Sequence, residues 1–388
     1  MRAARDESLD LDLARECFES STDFTSAAEE EFAIIDPQTL DLAHGFAALN
    51  EAAQGNEVLA DSVRGELIDT EIEIRSGRSQ TFAELVERQR ERRRLLFELA
   101  ERHGYALGSS GTHPWADYLD QAIIDTEHYR LLRAELGWVA QRNNTWSLHV
   151  HVGVRGADRA IAVCDHLRNV LPALLALSAN SPFLDGNDTG LHSVRTQIFT
   201  RSFPRCGIHD PFGDWESYAR FVGLLERTGS IVESTQLWWS VRPHHRFGTV
   251  EVRICDAQST GEESLELAGL MIACVAQAAL DYDAGELGAP LRAREVEENL
   301  WRAIRYGLDG KMIDFDRGAE IPTMEAVERL VAWTAPARTA LGIGEPELGP
   351  NGAQRGRTAL AEGQSIREIY TAEVARTQAS FAGQAAAG

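Results

Sequence analysis

The sequence predicts an α+β fold, in which an antiparallel sheet with one apolar and one charged face packs on helices. Three observations carry that expectation. Four short stretches alternate at period 2, each with acids, histidines or arginines on one face only. Long segments between and after them space their apolar residues as helices do. The last two strands are joined by the short turn 244–248, which makes them a hairpin and therefore antiparallel.

The clearest of the alternating stretches is 249–256. Val250, Val252 and Ile254 share one face; Glu251 and Arg253 share the other. Alone, this is an ordinary solvated strand with a local ion pair, so the argument rests on its counterparts. In Ala28–Pro37, Glu29 and Glu31 lie on one face of an apolar run that Asp36-Pro37 stops. Adjacent glutamates entering a strand repel unless cations hold them. In the next stretch Glu71, Glu73 and Arg75 face away from Ile72 and Ile74. Glu66, seven residues before Glu73, is off that face and has to reach in from the preceding bend. In 146–154, His149 and His151 stand opposite Leu148, Val150 and Val152, and Gly153 leaves room. Strand rise puts the two imidazoles about 6–7 Å apart, a spacing that suits a metal or a phosphate.

The helices follow from the apolar spacing. One runs from 81 to 103, ends at Gly104, and turns the arginine-rich stretch 88–94 to solvent. Others cover 126–140, 157–181 with a kink at Pro172, the segment carrying Arg195 and Arg201, then 214–227, 262–281, 294–307, 322–341 and 357–378. Residues 1–26 read as an N-terminal extension, 27–378 as a single catalytic domain, and 379–388 as a disordered tail.

Composition narrows the function. With 38 Lys and Arg against 60 Asp and Glu the net charge is −22, which argues against nucleic acid and anionic membrane as partners. No apolar run reaches the roughly 18 residues of a membrane span, and the polar, acidic start is no signal peptide. Five scattered cysteines fit a reducing cytoplasm. Lys311 is the only lysine, so a phosphate-binding lysine loop is excluded, and any phosphate has to be neutralised by arginine and a divalent cation.

If the four strands share one sheet, their polar faces form a surface with four or more carboxylates. Such a cluster needs cations. Oxygen donors with few imidazoles and no thiolate favour Mg²⁺ or Mn²⁺ over Zn²⁺, and Mg²⁺ held this way usually accompanies substrate phosphates. The residues thus point to a Mg-nucleotide enzyme.

Several motifs carry a resemblance: Glu29-Glu30-Glu31-Phe32, Leu148-His149-Val150-His151-Val152-Gly153, Thr249-Val250-Glu251-Val252-Arg253, and the run from Asn299 to Gly310, with Gly111-Thr112-His113-Pro114 and Ser178–Pro182 in support. In this order they resemble the YbdK-type carboxylate–amine ligases of the glutamate–cysteine ligase (type 2) superfamily, over about residues 27–315. The resemblance implies a glutamine synthetase-like α+β fold, a funnel of antiparallel sheet with helices outside, that binds ATP with Mg²⁺. It implies Glu29, Glu31, Glu66, Glu73, His149 and Glu251 as metal ligands and Arg253 on the transferred phosphoryl group. Arg195, Arg242 and His151 become substrate-binding candidates. The implied reaction joins L-glutamate to an amine, typically that of L-cysteine, through γ-glutamyl phosphate, and releases ADP and phosphate. Glu251 and Arg253 would be its catalytic pair.

Two departures stand out. Arg75-Ser76-Gly77 replaces a small residue followed by Thr-Pro, and Ser240 replaces the aspartate usual in the Trp238–Pro243 segment. Two other readings stay open: a metal-dependent hydrolase using His149 and His151, and a nucleotide- or amino-acid-binding relative without turnover. The amine partner and a homodimer are left open as well.

Overall fold

The computed structural model describes residues 9–382. Helix α1 (Leu11–Glu19) is capped by the Asp10 carboxylate, which accepts from the backbone N–H of Asp12 and Leu13. Then follow β1 (Ser26–Ile35), α2 (Phe46–Ala53), β2 (Val63–Arg64), β3 (Glu71–Arg75), α3 (Phe82–Arg102), β4 (Ala106–Gly108), α4 (Glu127–Leu136) and β5 (Ser147–Gly153). The middle of the chain holds α5 (Ala157–Leu167), α6 (Leu171–Ser178), β6 (Phe183–Leu184), β7 (Asn187–Asp188), α7 (Val194–Ser202), α8 (Trp215–Arg227), β8 (Val241–His244) and β9 (Thr249–Asp256). It ends with α9 (Gly261–Ala284), α10 (Ala293–Tyr306), β10 (Lys311–Asp314), β11 (Ala319–Pro322), α11 (Thr323–Trp333), α12 (Ala335–Leu341), α13 (Gly352–Ala361) and α14 (Ile366–Ala382).

The four charged strands do share one sheet. Its order is β2-β3-β1-β5-β9-β8, with β4 added to β1, and every pairing is antiparallel. The sheet is open. Its apolar face carries Leu148, Val150, Val152, Val250, Val252 and Ile254 into one core with α5, α6 and α9. Phe32, Ile34, Ile72 and Ile74 pack into a second core with Leu96, Phe97 and Leu99 of α3. Burial of these β-branched and aromatic rows fixes the register, since a one-residue slip would turn every charge into the core. Gly153 is needed where it stands: a Cβ there would lie 2.2 Å from the Thr22 carbonyl oxygen.

Several expectations need correction. The span 157–181 is two helices bent by 60°, with Pro172 in the first turn of the second rather than kinking a continuous rod. The span 322–341 breaks at Thr334, and 357–378 is α13 and α14 separated by Gly363 at φ 96°. Helix α14 continues to Ala382, so residues 379–382 are helical; the rest of the expected tail lies outside the described residues, as do residues 1–8. The face 88–94 is not all solvated, because Arg93 is 1% exposed and pairs with Glu30 at 3.0 Å. Helix α9 is long and apolar enough to cross a membrane, against expectation, yet 83% of that stretch is buried inside the fold as its central core helix.

Candidate active site

The sheet register lays the charged residues out in rows. Across one row stand Arg75, Glu29 and His149, contributed by β3, β1 and β5. Across the next stand Ala27, His151, Glu251 and Arg242, from β1, β5, β9 and β8. Glu73 faces Glu31 on the other side of the first row. All ten residues singled out from the sequence line a single cavity of about 420 Å³: Glu29, Glu31, Glu66, Glu73, His149, His151, Arg195, Arg242, Glu251 and Arg253. Glu66 reaches it from the bend between β2 and β3, as its offset required.

At the β5–β9 side each carboxylate has a protein cation. Glu251 is 1% exposed and is gripped by Arg242, with Nε at 2.7 Å and Nη2 at 3.2 Å, and by Arg253 Nη1. Burial pushes its carboxyl up, but Arg242, then Arg253, His151 and His244 hold it well below the usual range. Glu29 behaves alike: against burial, His151, His149 and Arg75 keep it ionised. His151 Nε2 lies 3.6 Å from Glu29 and 3.8 Å from Glu251, while its Nδ1 meets the Thr249 hydroxyl at 3.1 Å.

His149 has a defined tautomer. The Ser147 hydroxyl donates to Glu31 at 2.6 Å, so its oxygen is left to accept from His149 Nε2–H at 2.7 Å. That leaves the Nδ1 lone pair to accept from Arg253 Nη1–H at 3.4 Å, with Glu29 Oε2 3.7 Å away. Burial, then Arg253, lowers its pKa and keeps the ring neutral, the form that ligates metals. One ligand atom each from Glu29, His149 and Glu251 lie within 4.8 Å of one another, so the donors fit a small divalent cation.

The β3 side is different. Burial and Glu31 raise Glu66 to about 7. Burial and the carboxylates around them push Glu71 and Glu73 well up. Glu71 is 1% exposed, and its Oε2 has no hydrogen-bond partner among the described residues. Arg75 is the cation within reach, with Nε 3.2 Å from Glu29 and bonded to Glu73.

Two of the substrate candidates already have partners within the chain. Arg242 is spent on Glu251 and on the carbonyls of Thr235 and Leu237. Arg195, 4% exposed, donates to the carbonyls of Ile254 and Arg253 and sits 3.5 Å from Asp256. Both tie β9 to its neighbours while lining the cavity. By contrast, Arg253 has a buried Nε without a partner among the described residues. Sequence reasoning passed over Tyr129, Trp238, Phe199 and Phe247, which wall the cavity from loops and helices where period 2 gives no signal. Glu71 was visible on the strand face but was not carried into the ligand set. A larger hollow of about 950 Å³, behind the sheet between α6, α10 and α11, lacks such a convergent set.

Comparison with known proteins gives the family and the fold. The profile of glutamate–cysteine ligase family 2 matches residues 27–358. A Rubrobacter xylanophilus protein named "Putative glutamate--cysteine ligase 2-2" is 38% identical over 372 residues, covering 95% of this chain and 96% of its own. A Sorangium cellulosum protein named "Putative glutamate--cysteine ligase 2" is 38% identical over 359 residues, with 92% and 94% covered. Among solved structures, the glutamate–cysteine ligase of Francisella tularensis in complex with AMP superposes with a TM-score of 0.66 at 11% identity, covering 92% of this chain and 89% of that one. A bifunctional glutathione synthetase from Pasteurella multocida gives 0.64 at 11% identity, over 96% of this chain and 54% of that one. These two share the α+β fold found here. The chain belongs to glutamate–cysteine ligase family 2.

Proposed function

We propose that the protein is an ATP- and Mg²⁺-dependent carboxylate–amine ligase that activates the γ-carboxylate of L-glutamate and joins it to an amine, with L-cysteine the first candidate. The observation that carries this reading is the trio Glu29, His149 and Glu251, two carboxylates and one imidazole within 4.8 Å beside Arg253 and opposite an excess of carboxylates. Glu29, Glu31, Glu66, Glu73, His149 and Glu251 would hold Mg²⁺, or Mn²⁺ in its place. A divalent ion bound there supplies charge neutralisation for the nucleotide's phosphates.

The residues have separable tasks. Arg253 is held by Glu251 with its Nε free, and so offers a donor to the oxygens of the phosphoryl group in transfer. Ser147 fixes His149 with its Nδ1 lone pair inward. In the first step a glutamate oxygen attacks the γ-phosphorus, the bond to ADP breaks, and an acyl phosphate forms. In the second the amine attacks the acyl carbon, phosphate leaves, and the amine gives up one proton. No covalent nucleophile from the chain is needed, and positioning with charge stabilisation does the catalytic work. The AMP in the Francisella structure and the names of the relatives support the nucleotide and the reaction class.

The test is ADP release with Mg-ATP and L-glutamate, across amines that include and omit L-cysteine. Release that needs glutamate together with one amine is the expected result. Hydrolysis of substrates without ATP would favour the metal-hydrolase reading, and nucleotide binding with no release under any condition would favour a relative without turnover.

A further inference from the structure

Arg75 is the first departure noted in the sequence, and the reaction above leaves it without a task. The sheet gives it one. Its Cα stands directly opposite that of Glu29 in the β1–β3 ladder, and Glu73 lies two residues back on the same strand face. Its Nε is 3.2 Å from a Glu29 oxygen and bonded to Glu73. The backbone therefore fixes the base of this side chain between two carboxylates of the ligand set. A divalent ion shared by those carboxylates would have to occupy the same space against a full positive charge, which repels it at such short range.

We propose that Arg75 stands where a divalent cation would otherwise sit between Glu29 and Glu73. The chain on its own then holds one ion, at Glu29, His149 and Glu251, and meets the charge of β3 with a guanidinium. This rests on the metal-dependent reading above. It also adds something a metal does not supply. Among the described residues the Arg75 side chain makes its one hydrogen bond through Nε. Its Nη groups remain as fixed, directional donors for acceptor oxygens of a bound carboxylate or phosphate. A protein-borne cation is present at every concentration of free metal, so the β3 side needs no second ion to be assembled.

The experiment is a titration of the purified chain with Mn²⁺ alone, with free ion read by electron paramagnetic resonance. The wild type is expected to take up one tight ion per chain. R75M, which keeps an unbranched stem and removes the charge, is expected to take up two. R75K, which keeps the charge, is expected to stay at one. Two or more ions in the wild type, or one ion in R75M, overturns the proposal and leaves the ligase reading standing. Should R75M fail to fold, the counts for the wild type and R75K decide, two ions in either overturning it. No Mn²⁺ bound to the wild type removes the metal reading and this proposal together.

Discussion

The two sides of the charged sheet face both carry buried glutamates and an arginine, yet they are in opposite electrostatic states. At β5–β9, Glu29 and Glu251 stay ionised because Arg242, Arg253, His149 and His151 surround them. At β3, Glu66, Glu71 and Glu73 are pushed toward their protonated forms by burial and then by neighbouring carboxylates, Glu31 for the first two and Glu29 for the third. Burial raises every one of these carboxyls, so the difference lies wholly in the company each keeps. A balanced cluster keeps its shape with nothing bound. At β3 the carboxylates outnumber the guanidinium of Arg75 that meets them, and the excess is held against mutual repulsion.

The comparison breaks most visibly at Glu251. Glu251→Gln removes a metal donor and leaves the buried guanidiniums of Arg242 and Arg253 without their partner. ADP formation should fall on the order of 10³-fold, and unfolding in urea should show a loss of about 3 kcal/mol, because half of a buried ion pair costs more than the whole. Unchanged stability would mean that the β5–β9 side is not self-supporting. Arg253→Lys keeps the charge but loses the fork. It should lower ADP formation by about 10²-fold, with a smaller effect on stability, since Arg242 still holds Glu251.

Much of this site was legible in the sequence because a strand has a short period. Glu29, Glu31, Glu73, His149, Glu251 and Arg253 could be placed on faces from alternation alone, and the apolar rows opposite them told which face turns inward. What alternation does not carry is who stands across the ladder. Arg242 reads as a free cation on a strand face; only the register shows it opposite Glu251. Arg195 on α7 depends on where a helix end meets β9. Arg93 reads as solvated because it sits in an arginine-rich run, while its partner Glu30 lies far away in sequence. The helix breaks at 168–170 and 334 were hidden in unbroken apolar spacing.

A pH titration of either side needs a reference outside the site, and His113 provides one. It is fully buried; its Nε2–H donates to the Leu40 carbonyl, and its Nδ1 accepts from the backbone N–H of Trp115 and Ala116. A second ring proton would face two donors, so burial, over the opposing pull of the Leu40 carbonyl and Asp41, lowers its pKa to about 4. Between that value and the 6.5 of the unfolded chain, the unfolded state binds the extra proton and the folded state does not. Stability is therefore full above about 6.5 and falls as the pH drops toward 4, by roughly 3 kcal/mol from this residue. His113→Asn should flatten that acid arm in melts taken from pH 7 to 4. An unchanged slope would assign the arm to other buried histidines such as His209, which sits at about 3.

The smallest effect is the most direct probe of the surplus. Glu71 is buried, has a carboxylate oxygen without a partner, and is crowded by Glu31, Glu66 and Glu73. Glu71→Gln keeps the shape and removes one contributor to that crowding. In the metal-free protein at neutral pH it should raise stability by about 1 kcal/mol, the opposite sign to Glu251→Gln on the same face. Melting curves of the two variants without metal, read side by side, test this. A loss in both would mean that the β3 carboxylates are already compensated within the chain, and the contrast between the two sides would collapse.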